Sequence, residues 1–268
     1  MSAMQDRRGL PGAAPPDTWP AWLAAPVAAW RLARVLGHVL RAYVASYLLW
    51  HRLDEKAWHH TTLTWSRQLL GILGIRLEVV GQARPGAKLV VANHISWLDI
   101  VALNATVPSR FVSKAEVARW PLVGRLVTAA GTLYLVRERR RDAMRVLGLM
   151  AKSLREGHTV AVFPEGTTGS GHGVMHFHGN LLQAAIDAGV PVQPVVLRYS
   201  DPQSQISARA AYVGEMTVMQ SLWSVVTARG LCVHAHILPL QSAHHADRRA
   251  LAALLEEGIA AALSEQVS

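Results

Sequence analysis

The sequence predicts an α/β fold: a mixed, largely parallel sheet flanked by helices, with a two-helix membrane-anchoring segment at the N-terminus. Three observations support this prediction. Short β-branched runs alternate with helical stretches from about residue 77 onward, which is typical of a sheet covered by helices. The 268 residues are 51% hydrophobic, enough to build one large core. Residues 18–74 are largely apolar, helical in character and rich in tryptophan.

The composition of the chain divides it into three predicted segments. Residues 1–17 are polar and rich in proline and glycine, and we expect a disordered tail there. Arg7-Arg8 is followed by Gly-Leu-Pro-Gly instead of an apolar stretch, so no cleavable signal peptide is predicted. Residues 18–74 form a membrane-associated helical segment, and residues 75–268 form the α/β domain.

The helical segment has the composition of a membrane interface. Its longest uncharged piece after the last arginine, Ala42 to Trp50, is too short to cross a bilayer unaided. Tryptophan prefers the membrane–water interface, and arginine suits an anionic headgroup layer. Six of the nine tryptophans fall in this segment: Trp19, Trp22, Trp30, Trp50, Trp58 and Trp65. The arginines that interrupt the first apolar stretch are Arg31, Arg34 and Arg41.

A second amphipathic stretch, Trp58 to Leu73, follows the polar break Asp54-Glu55-Lys56. We therefore predict two helices that lie in, or dip into, one leaflet. A helical hairpin packed on the soluble core and one tilted spanning helix are the alternatives.

The strands and helices of the domain are predicted from the spacing at which apolar residues recur along the sequence. The predicted strands are Leu77–Val80, Leu89–Ala92, Phe111–Ser113, Thr132–Val136, Thr159–Phe163, Val192–Leu197, Ala210–Val213 and Leu231–Ile237. The predicted helices cover about residues 97–105, 121–130, 139–156, 180–188, 217–228 and 246–264. Ligands of such sheets bind at the carboxyl ends of the strands.

The charge balance narrows the class of partner. Positive residues exceed negative ones by 27 − 18 = 9, which favours an anionic partner such as nucleic acid, an acidic lipid surface or a phosphorylated ligand. No helix-turn-helix, zinc finger or aromatic-interleaved basic sheet is apparent, so no nucleic-acid partner is predicted. Cys232 is the single cysteine, which excludes an intrachain disulfide.

The first motif that indicates chemistry is Asn93-His94-Ile95-Ser96-Trp97-Leu98-Asp99, directly after a predicted buried strand. Histidine suits proton transfer near neutral pH, and a carboxylate on its other ring nitrogen would orient the ring and stabilise its charged form. The alternative is a loop histidine next to an aspartate that favours the helix dipole. Ser96 lacks the Gly-x-Ser-x-Gly elbow of serine hydrolases, so the nucleophile would be a substrate hydroxyl.

The second motif is Phe163-Pro164-Glu165-Gly166-Thr167-Thr168-Gly169-Ser170-Gly171, also after a predicted strand. A glycine-rich loop brings backbone N–H groups close to an oxygen-rich ligand. Glu165 adds a carboxylate able to accept from a hydroxyl. An ordinary polar turn is the alternative for this motif alone.

Together, and in this order, these motifs resemble the glycerolipid acyltransferase family, which includes the 1-acylglycerol-3-phosphate (lysophosphatidate) acyltransferases. The resemblance covers roughly residues 75 to 200. The first two blocks match its His-x4-Asp and Phe-Pro-Glu-Gly-Thr signatures. The other matching blocks are the lysine segment with Lys114 and Glu116, the Gly-x5-Arg block Gly131 to Arg137, and the closing block Val190 to Val195.

The resemblance implies a role for each matching residue. His94 would be the general base and Asp99 would hold its imidazole. Lys114 and Arg137 would bind the acceptor's anionic head, and Glu165, Gly166 and Thr167 would bind its glycerol part. The acyl donor would be acyl-CoA or acyl carrier protein, as substrate, and neither a cofactor nor a metal ion is expected. The resemblance also implies a bacterial enzyme at the cytoplasmic face of the inner membrane, with the bilayer and a lysolipid as partners.

One position departs from the family pattern. Many members carry arginine after Glu-Gly-Thr, whereas this chain has Thr168, so one phosphate contact of the acceptor is in doubt. The variant is similar to a bacterial subgroup that includes enzymes acylating lyso-ornithine lipid, so the resemblance implies either lysophosphatidate or an aminolipid as the acceptor. A hydrolase that uses water as acceptor and a non-catalytic protein that binds anionic lipid are the competing classes. The histidines that crowd the second loop, His172, His176 and His178, have no ligand spacing that indicates a metal.

Overall fold

Seven strands form one mixed sheet in the computed structural model, which describes residues 18–48, 53–135, 140–244 and 246–267. The strands are β1 (Arg76–Val80), β2 (Lys88–Ala92), β3 (Arg110–Lys114), β4 (Leu133–Leu135), β5 (Thr159–Val162), β6 (Val192–Ser200) and β7 (Cys232–Ile237). The helices are α1 (Ala21–Leu48), α2 (Glu55–Leu73), α3 (Leu98–Asn104), α4 (Val123–Ala129), α5 (Arg140–Arg155), α6 (Gln183–Ala188), α7 (Val218–Thr227) and α8 (Arg248–Glu265). Short 3-10 helices at Ala115–Arg119 and Gly179–Leu182 precede α4 and α6.

The strands follow the order β1-β7-β6-β2-β5-β3-β4 across the sheet. The strands from β6 to β4 run in one direction, and β7 is antiparallel to β6, so β1 and β7 run the other way. Parallel neighbours need crossover connections, and helices α3 to α6 lie in those connections. The predicted mixed, largely parallel α/β fold is confirmed. The carboxyl ends of five strands consequently meet at one edge of the sheet.

Helices bury both faces of the central strands. β2 and β5 are buried along their whole length, as expected of parallel strands with mostly apolar side chains on both faces. One face packs against α2, α3 and α7 through residues such as Leu70, Leu103 and Val225. The other packs against α5 and α8 through residues such as Met150 and Leu255. This packing holds the strand ends, and the loops that follow them, in fixed positions.

The prediction of a strand at Ala210–Val213 is wrong. These residues form an irregular segment, in which Tyr212 N donates to Ile95 O at 3.0 Å. Its backbone therefore bonds to the histidine loop instead of a neighbouring strand. Strand β6, by contrast, continues past the predicted end at Leu197 as far as Ser200.

Helix α2 belongs to the core of the domain. The Asp54 side chain caps its N-terminus by accepting from Ala57 N at 2.8 Å, and Gly74 ends it in the left-handed region with φ of 78°. Its apolar face, including Leu69 and Leu73, lies in the main hydrophobic cluster. Of the two predicted interfacial helices, α2 therefore packs into the protein.

Helix α1 is the member of the pair that shows an apolar face to the outside. It packs on α2, α4 and α7, yet seven of its large apolar side chains are exposed: Trp22, Trp30, Leu36, Leu40, Val44, Tyr47 and Leu48. The stretch Trp22–Leu48 is long and apolar enough to cross a membrane. The predicted disordered tail, residues 1–17, and Trp50 lie outside the described residues.

Candidate active site

The two sequence motifs meet at the carboxyl ends of adjacent strands. The histidine loop follows β2 and the glycine-rich loop follows β5, and these strands pair in parallel. His94 N donates to Glu165 Oε1 at 3.0 Å, and Gly169 N donates to His94 O at 2.7 Å. Two segments about seventy residues apart along the chain thus form one site.

His94 and Asp99 form a hydrogen-bonded pair. Nδ1 of His94 lies 2.8 Å from Oδ2 of Asp99, which stands in the first turn of α3 and is fully buried. Since an ionised carboxylate only accepts, Nδ1 carries the proton and Nε2 keeps its lone pair. The His94 side chain is 18% exposed, so Nε2 can meet a ligand.

Further donors hold the buried carboxyl group of Asp99. Oδ2 also accepts from Ile95 N at 2.6 Å and from Ser96 N at 2.9 Å. Oδ1 accepts from the Tyr199 hydroxyl at 2.8 Å. Burial raises the pKa of the Tyr199 phenol well above its usual value, and the neighbouring Asp99 charge raises it further, so this hydroxyl keeps its proton. These donors replace the water that the carboxylate loses on burial.

Two neighbours fix the position of the imidazole. The ring of Phe163, the first residue after β5, stacks on His94 with a centroid distance of 4.0 Å and an interplanar angle of 10°. The side chain of Asn93 donates to Leu197 O at 2.9 Å and accepts from Leu197 N at 2.8 Å. Asn93 thereby ties the start of the loop to β6, while Phe163 sets the plane of the ring.

Glu165 is a buried acid beside this pair. Desolvation raises its pKa to about 7, and backbone hydrogen bonds from His94 and Met175 offset only part of that effect. Its Oε1 is engaged with the backbone of His94. Glu165, which the resemblance implies binds the glycerol part of the acceptor, therefore also joins the two loops by a hydrogen bond.

Comparison with known proteins identifies the family. Residues 76–198 match the family model described as Acyltransferase. The chain is 38% identical over 202 residues to the 1-acyl-sn-glycerol-3-phosphate acyltransferase of Neisseria meningitidis serogroup B, covering 74% of this chain and 79% of the relative. The chain belongs to the acyltransferase family.

Two further comparisons fit this acyltransferase assignment. A lyso-ornithine lipid O-acyltransferase of Pseudomonas aeruginosa is 36% identical over 202 residues, covering 75% of this chain and 78% of the relative. The crystal structure of the 1-acyl-sn-glycerophosphate (LPA) acyltransferase PlsC from Thermotoga maritima superimposes with a TM-score of 0.68, covering 91% of this chain and 96% of that one. At 20% identity, that likeness shows the fold.

The glycine-rich loop of the acyltransferase turns sharply after Glu165. Gly166 has φ of +72°, a left-handed conformation that residues with side chains rarely adopt, and its N–H donates to Phe163 O at 3.1 Å. Thr167 is exposed at the mouth of the site. The hydroxyl of Thr168 donates to Tyr212 O, so it is engaged with the backbone of the irregular segment.

Of the two predicted cationic residues, Lys114 has a described backbone. Lys114 is the last residue of β3, and its partner in the register is Leu135, the last residue of β4. Arg137 and the side chain of Lys114 lie outside the described residues. Their predicted contacts with the acceptor therefore stay predictions.

Tyr199 and the stacking of Phe163 on His94 were not predicted from the sequence. Tyr199 is only 1% exposed, at the end of a strand that was expected to stop at Leu197. A phenol on a buried strand needs a hydrogen-bond partner, and that is the signal that could have found it. Of the histidines in the second loop, His176 pairs with Glu256 of α8 at 3.2 Å and is largely exposed.

Proposed function

We propose that this enzyme transfers a fatty acyl group from acyl-CoA or acyl carrier protein to the free hydroxyl of 1-acylglycerol-3-phosphate, giving phosphatidic acid. The observation that carries the proposal is the 2.8 Å contact between His94 Nδ1 and Asp99 Oδ2, which leaves Nε2 as a base. Relatives named 1-acyl-sn-glycerol-3-phosphate acyltransferase support the choice of acceptor.

The reaction follows from the position of Nε2. Nε2 takes the proton of the lysolipid hydroxyl while that oxygen attacks the carbonyl carbon of the thioester. The tetrahedral intermediate then collapses, the carbon–sulfur bond breaks, and the departing thiolate receives the proton from Nε2. The Asp99 carboxylate stabilises the imidazolium between these two transfers.

Direct transfer, without an acyl-enzyme, fits the surroundings of His94. Ser96 is the hydroxyl residue of the histidine loop, and it is fully buried. It is therefore not accessible to a bound thioester. The lysolipid hydroxyl is left as the nucleophile.

The remaining roles complete the proposal. Arg137 and Lys114 bind the acceptor phosphate, for which a guanidinium fork is well shaped. Gly166 and Thr167, beside Glu165, bind the glycerol part. The exposed apolar face of α1 holds the enzyme at the cytoplasmic face of a bacterial inner membrane, where the lysolipid already lies in the leaflet.

Lyso-ornithine lipid is the second candidate acceptor, and Thr168 favours it. At this position the chain offers a hydroxyl already bonded to Tyr212 O instead of a cation for a phosphate. Relatives named lyso-ornithine lipid O-acyltransferase are 36% and 32% identical to the chain.

An acceptor panel with a labelled acyl donor tests these proposals. Lysophosphatidate, lyso-ornithine lipid and glycerol 3-phosphate are compared with a reaction that contains no acceptor. Transfer to lysophosphatidate supports the first proposal, and transfer to lyso-ornithine lipid alone replaces it with the second. Acyl release at the same rate without acceptor identifies a hydrolase. His94→Ala should reduce transfer to a small residual rate, whereas His172→Ala, on the exposed part of the neighbouring loop, should leave transfer unchanged.

A further inference from the structure

A polar cluster lies on the two strands that run against the rest of the sheet. β1 forms one edge of the sheet and pairs with β7, with Arg76 opposite Cys232 and Glu78 opposite His234. Residues two apart on a strand point to the same face, so the side chains of Glu78, Cys232 and His234 lie together. The alternate residues of β7, such as Val233, face the hydrophobic core instead. The cluster is therefore separate from the His94 site.

The three side chains present a sulfur, a nitrogen and an oxygen to a common point. One ligand atom from each side chain lies within 4.8 Å of the other two. Nδ1 of His234 and an oxygen of Glu78 are separated by 3.1 Å. Two ligands bound to one tetrahedral ion at about 2.1 Å lie about 3.4 Å apart, so rotation of the side chains suffices to close the site.

A second interaction holds the other ring nitrogen of His234. Nε2 lies 2.7 Å from the hydroxyl of Ser200, which is opposite Cys232 on β6. Without a metal, Nδ1–H donates to Glu78 and Nε2 accepts from Ser200; a bound ion would displace the Nδ1 proton, and Nε2–H would then donate to the Ser200 hydroxyl. Histidines that bind metals almost always donate their other N–H to such a partner, which fixes the tautomer.

Arg76 is the cation that a bound ion would have to displace. Its Nε contacts Glu78 at 3.0 Å and its side chain also hydrogen-bonds Cys232, but that side chain is 72% exposed and can move into water. Arg198, on β6, directs its guanidinium to Gln205 and Gln266. A divalent cation would take the place of Arg76 as the counter-charge of Glu78.

We propose that Glu78, Cys232 and His234 form a Zn²⁺ site that joins β1 to β7. A thiolate, an imidazole and a carboxylate suit zinc, whereas Mg²⁺ and Ca²⁺ prefer oxygen ligands alone. Three protein ligands leave a fourth position for water. The site was not predicted from sequence, because Glu78 and His234 are far apart along the chain and only the sheet register brings them together. Its expected effect is to hold the edge strand, independently of the acyl transfer.

Cadmium is a direct probe of this site, because a cadmium–thiolate bond gives an ultraviolet charge-transfer band. Cys232 is the single cysteine, so such a band in the full-length protein reports on this site alone. We expect one Cd²⁺ per chain, displacement by Zn²⁺, and a thermal midpoint that rises with Zn²⁺ concentration. Absence of the band in the folded protein, or a midpoint that Zn²⁺ leaves unchanged, would overturn the proposal.

Variants separate the site from adventitious binding by surface histidines. Cys232→Ser should abolish the band, His234→Gln should weaken binding more than tenfold, and Ser200→Ala should weaken it roughly tenfold. Arg76→Ala should strengthen binding, because it removes the competing cation. His176→Ala is the matched control, since that histidine also faces a carboxylate, and it should bind as the wild type does.

The outcome remains decisive if one variant fails to fold. If Cys232→Ser is insoluble, the Cd²⁺ band of the wild type and the Zn²⁺ titration of His234→Gln still decide whether the site exists. Equal Zn²⁺ affinity in the wild type and His234→Gln, or weaker binding after Arg76→Ala, contradicts the site. Acyl transfer by the His234→Gln variant should match the wild type, which keeps this test independent of the catalytic proposal.

Discussion

The hydroxyl of Tyr199 donates a 2.8 Å hydrogen bond to Oδ1 of Asp99 across one hundred residues of sequence. Oδ2 of the same carboxyl group faces His94 and two backbone amides of its loop. The pair recognised in the sequence is thus the outer part of a buried chain that runs from β6 to the imidazole. Tyr199 positions Asp99, and Asp99 positions His94.

Tyr199→Phe should reduce turnover while leaving substrate affinity nearly unchanged. The substitution keeps the ring but leaves one buried carboxylate oxygen without its donor, which costs about 1–3 kcal/mol. We expect kcat to fall with little change in KM, together with a lower denaturation midpoint. Steady-state kinetics and thermal denaturation measure both.

Tyr43→Phe is the control for this change, because that hydroxyl is exposed and bonds to Tyr47 on α1. It should leave kcat and stability as they are. A Tyr199→Phe enzyme with wild-type kcat would show that the phenol has no part in positioning Asp99.

Contacts between residues close together in the sequence could be predicted from motifs, whereas contacts that depend on the order of strands in the sheet could not. His94 and Asp99 are five residues apart, so a motif could suggest their contact. Tyr199 joins them only because β6 lies next to β2. The sheet itself was predictable because its buried strands are short β-branched runs. Ala210–Val213 contains one β-branched residue, Val213, and its backbone bonds to the histidine loop instead of a strand. Arg31 was assigned to a headgroup layer, yet the fold buries it.

Asp99→Asn should preserve the fold and lower kcat strongly. The amides of Ile95 and Ser96 require an oxygen at the Oδ2 position, so the asparagine NH₂ should turn towards Tyr199. The His94 tautomer is then kept, but the negative charge that stabilises the imidazolium is lost. We expect a loss of about 10²–10⁴-fold in kcat.

A double-mutant cycle tests whether this loss acts through His94. Residues that act as a unit are non-additive, so Asp99→Asn should change the residual rate of His94→Ala very little. An equal further loss in that background would mean that Asp99 acts independently of the imidazole. Circular dichroism and thermal denaturation of each variant check that the fold is intact.

Arg31→Ala should destabilise the protein by separating α1 from the domain. The buried guanidinium donates to Val226 O and Ala228 O, each at 2.8 Å, and so satisfies carbonyls at the end of α7. Its burial lowers the pKa of the guanidinium, which nevertheless stays charged at neutral pH. Leaving these carbonyls unpaired costs about 1–3 kcal/mol.

Arg34→Ala, one turn further along α1, serves as the comparison. Arg34 lies over the ring of Trp30 at 4.6 Å on the outer face and contributes little to the domain. Chemical denaturation should therefore show a lower midpoint for Arg31→Ala only. Equal midpoints for the two variants would refute the assigned role of Arg31.

Replacing exposed apolar residues of α1 should release the enzyme from membranes without unfolding it. Leu36, Leu40 and Val44 are exposed, and each such side chain gains about 1.5–3 kcal/mol when fully removed from water. The triple change to glutamine should shift the protein from the membrane fraction to the supernatant after sedimentation. Leu254→Gln, at an exposed leucine of α8, is the control and should stay with the membrane. Unchanged sedimentation of the triple variant would exclude α1 as the anchor.

Glu165 should make the protein less stable as pH rises from about 4.5 to about 7. Burial raises its pKa from 4.5 to about 7, so the folded protein holds a proton that the unfolded chain releases in this range. The stabilisation from the neutral form is complete below the unfolded value and is lost as pH rises through the folded one. The full effect is about 3 kcal/mol at most.

Glu165→Gln isolates this effect. Glutamine is neutral at every pH and can still accept from His94 N, so its stability should lack that component of the pH dependence. We expect the free energy of unfolding of the variant, relative to that of the wild type, to increase between pH 5 and 8 by up to about 3 kcal/mol. Chemical denaturation at several pH values measures this difference. Glu215→Gln, an exposed acid, should follow the wild type throughout. Parallel curves for Glu165→Gln and the wild type would mean that Glu165 is ionised in the folded protein across the whole range, with its carboxylate fully stabilised by the histidine loop.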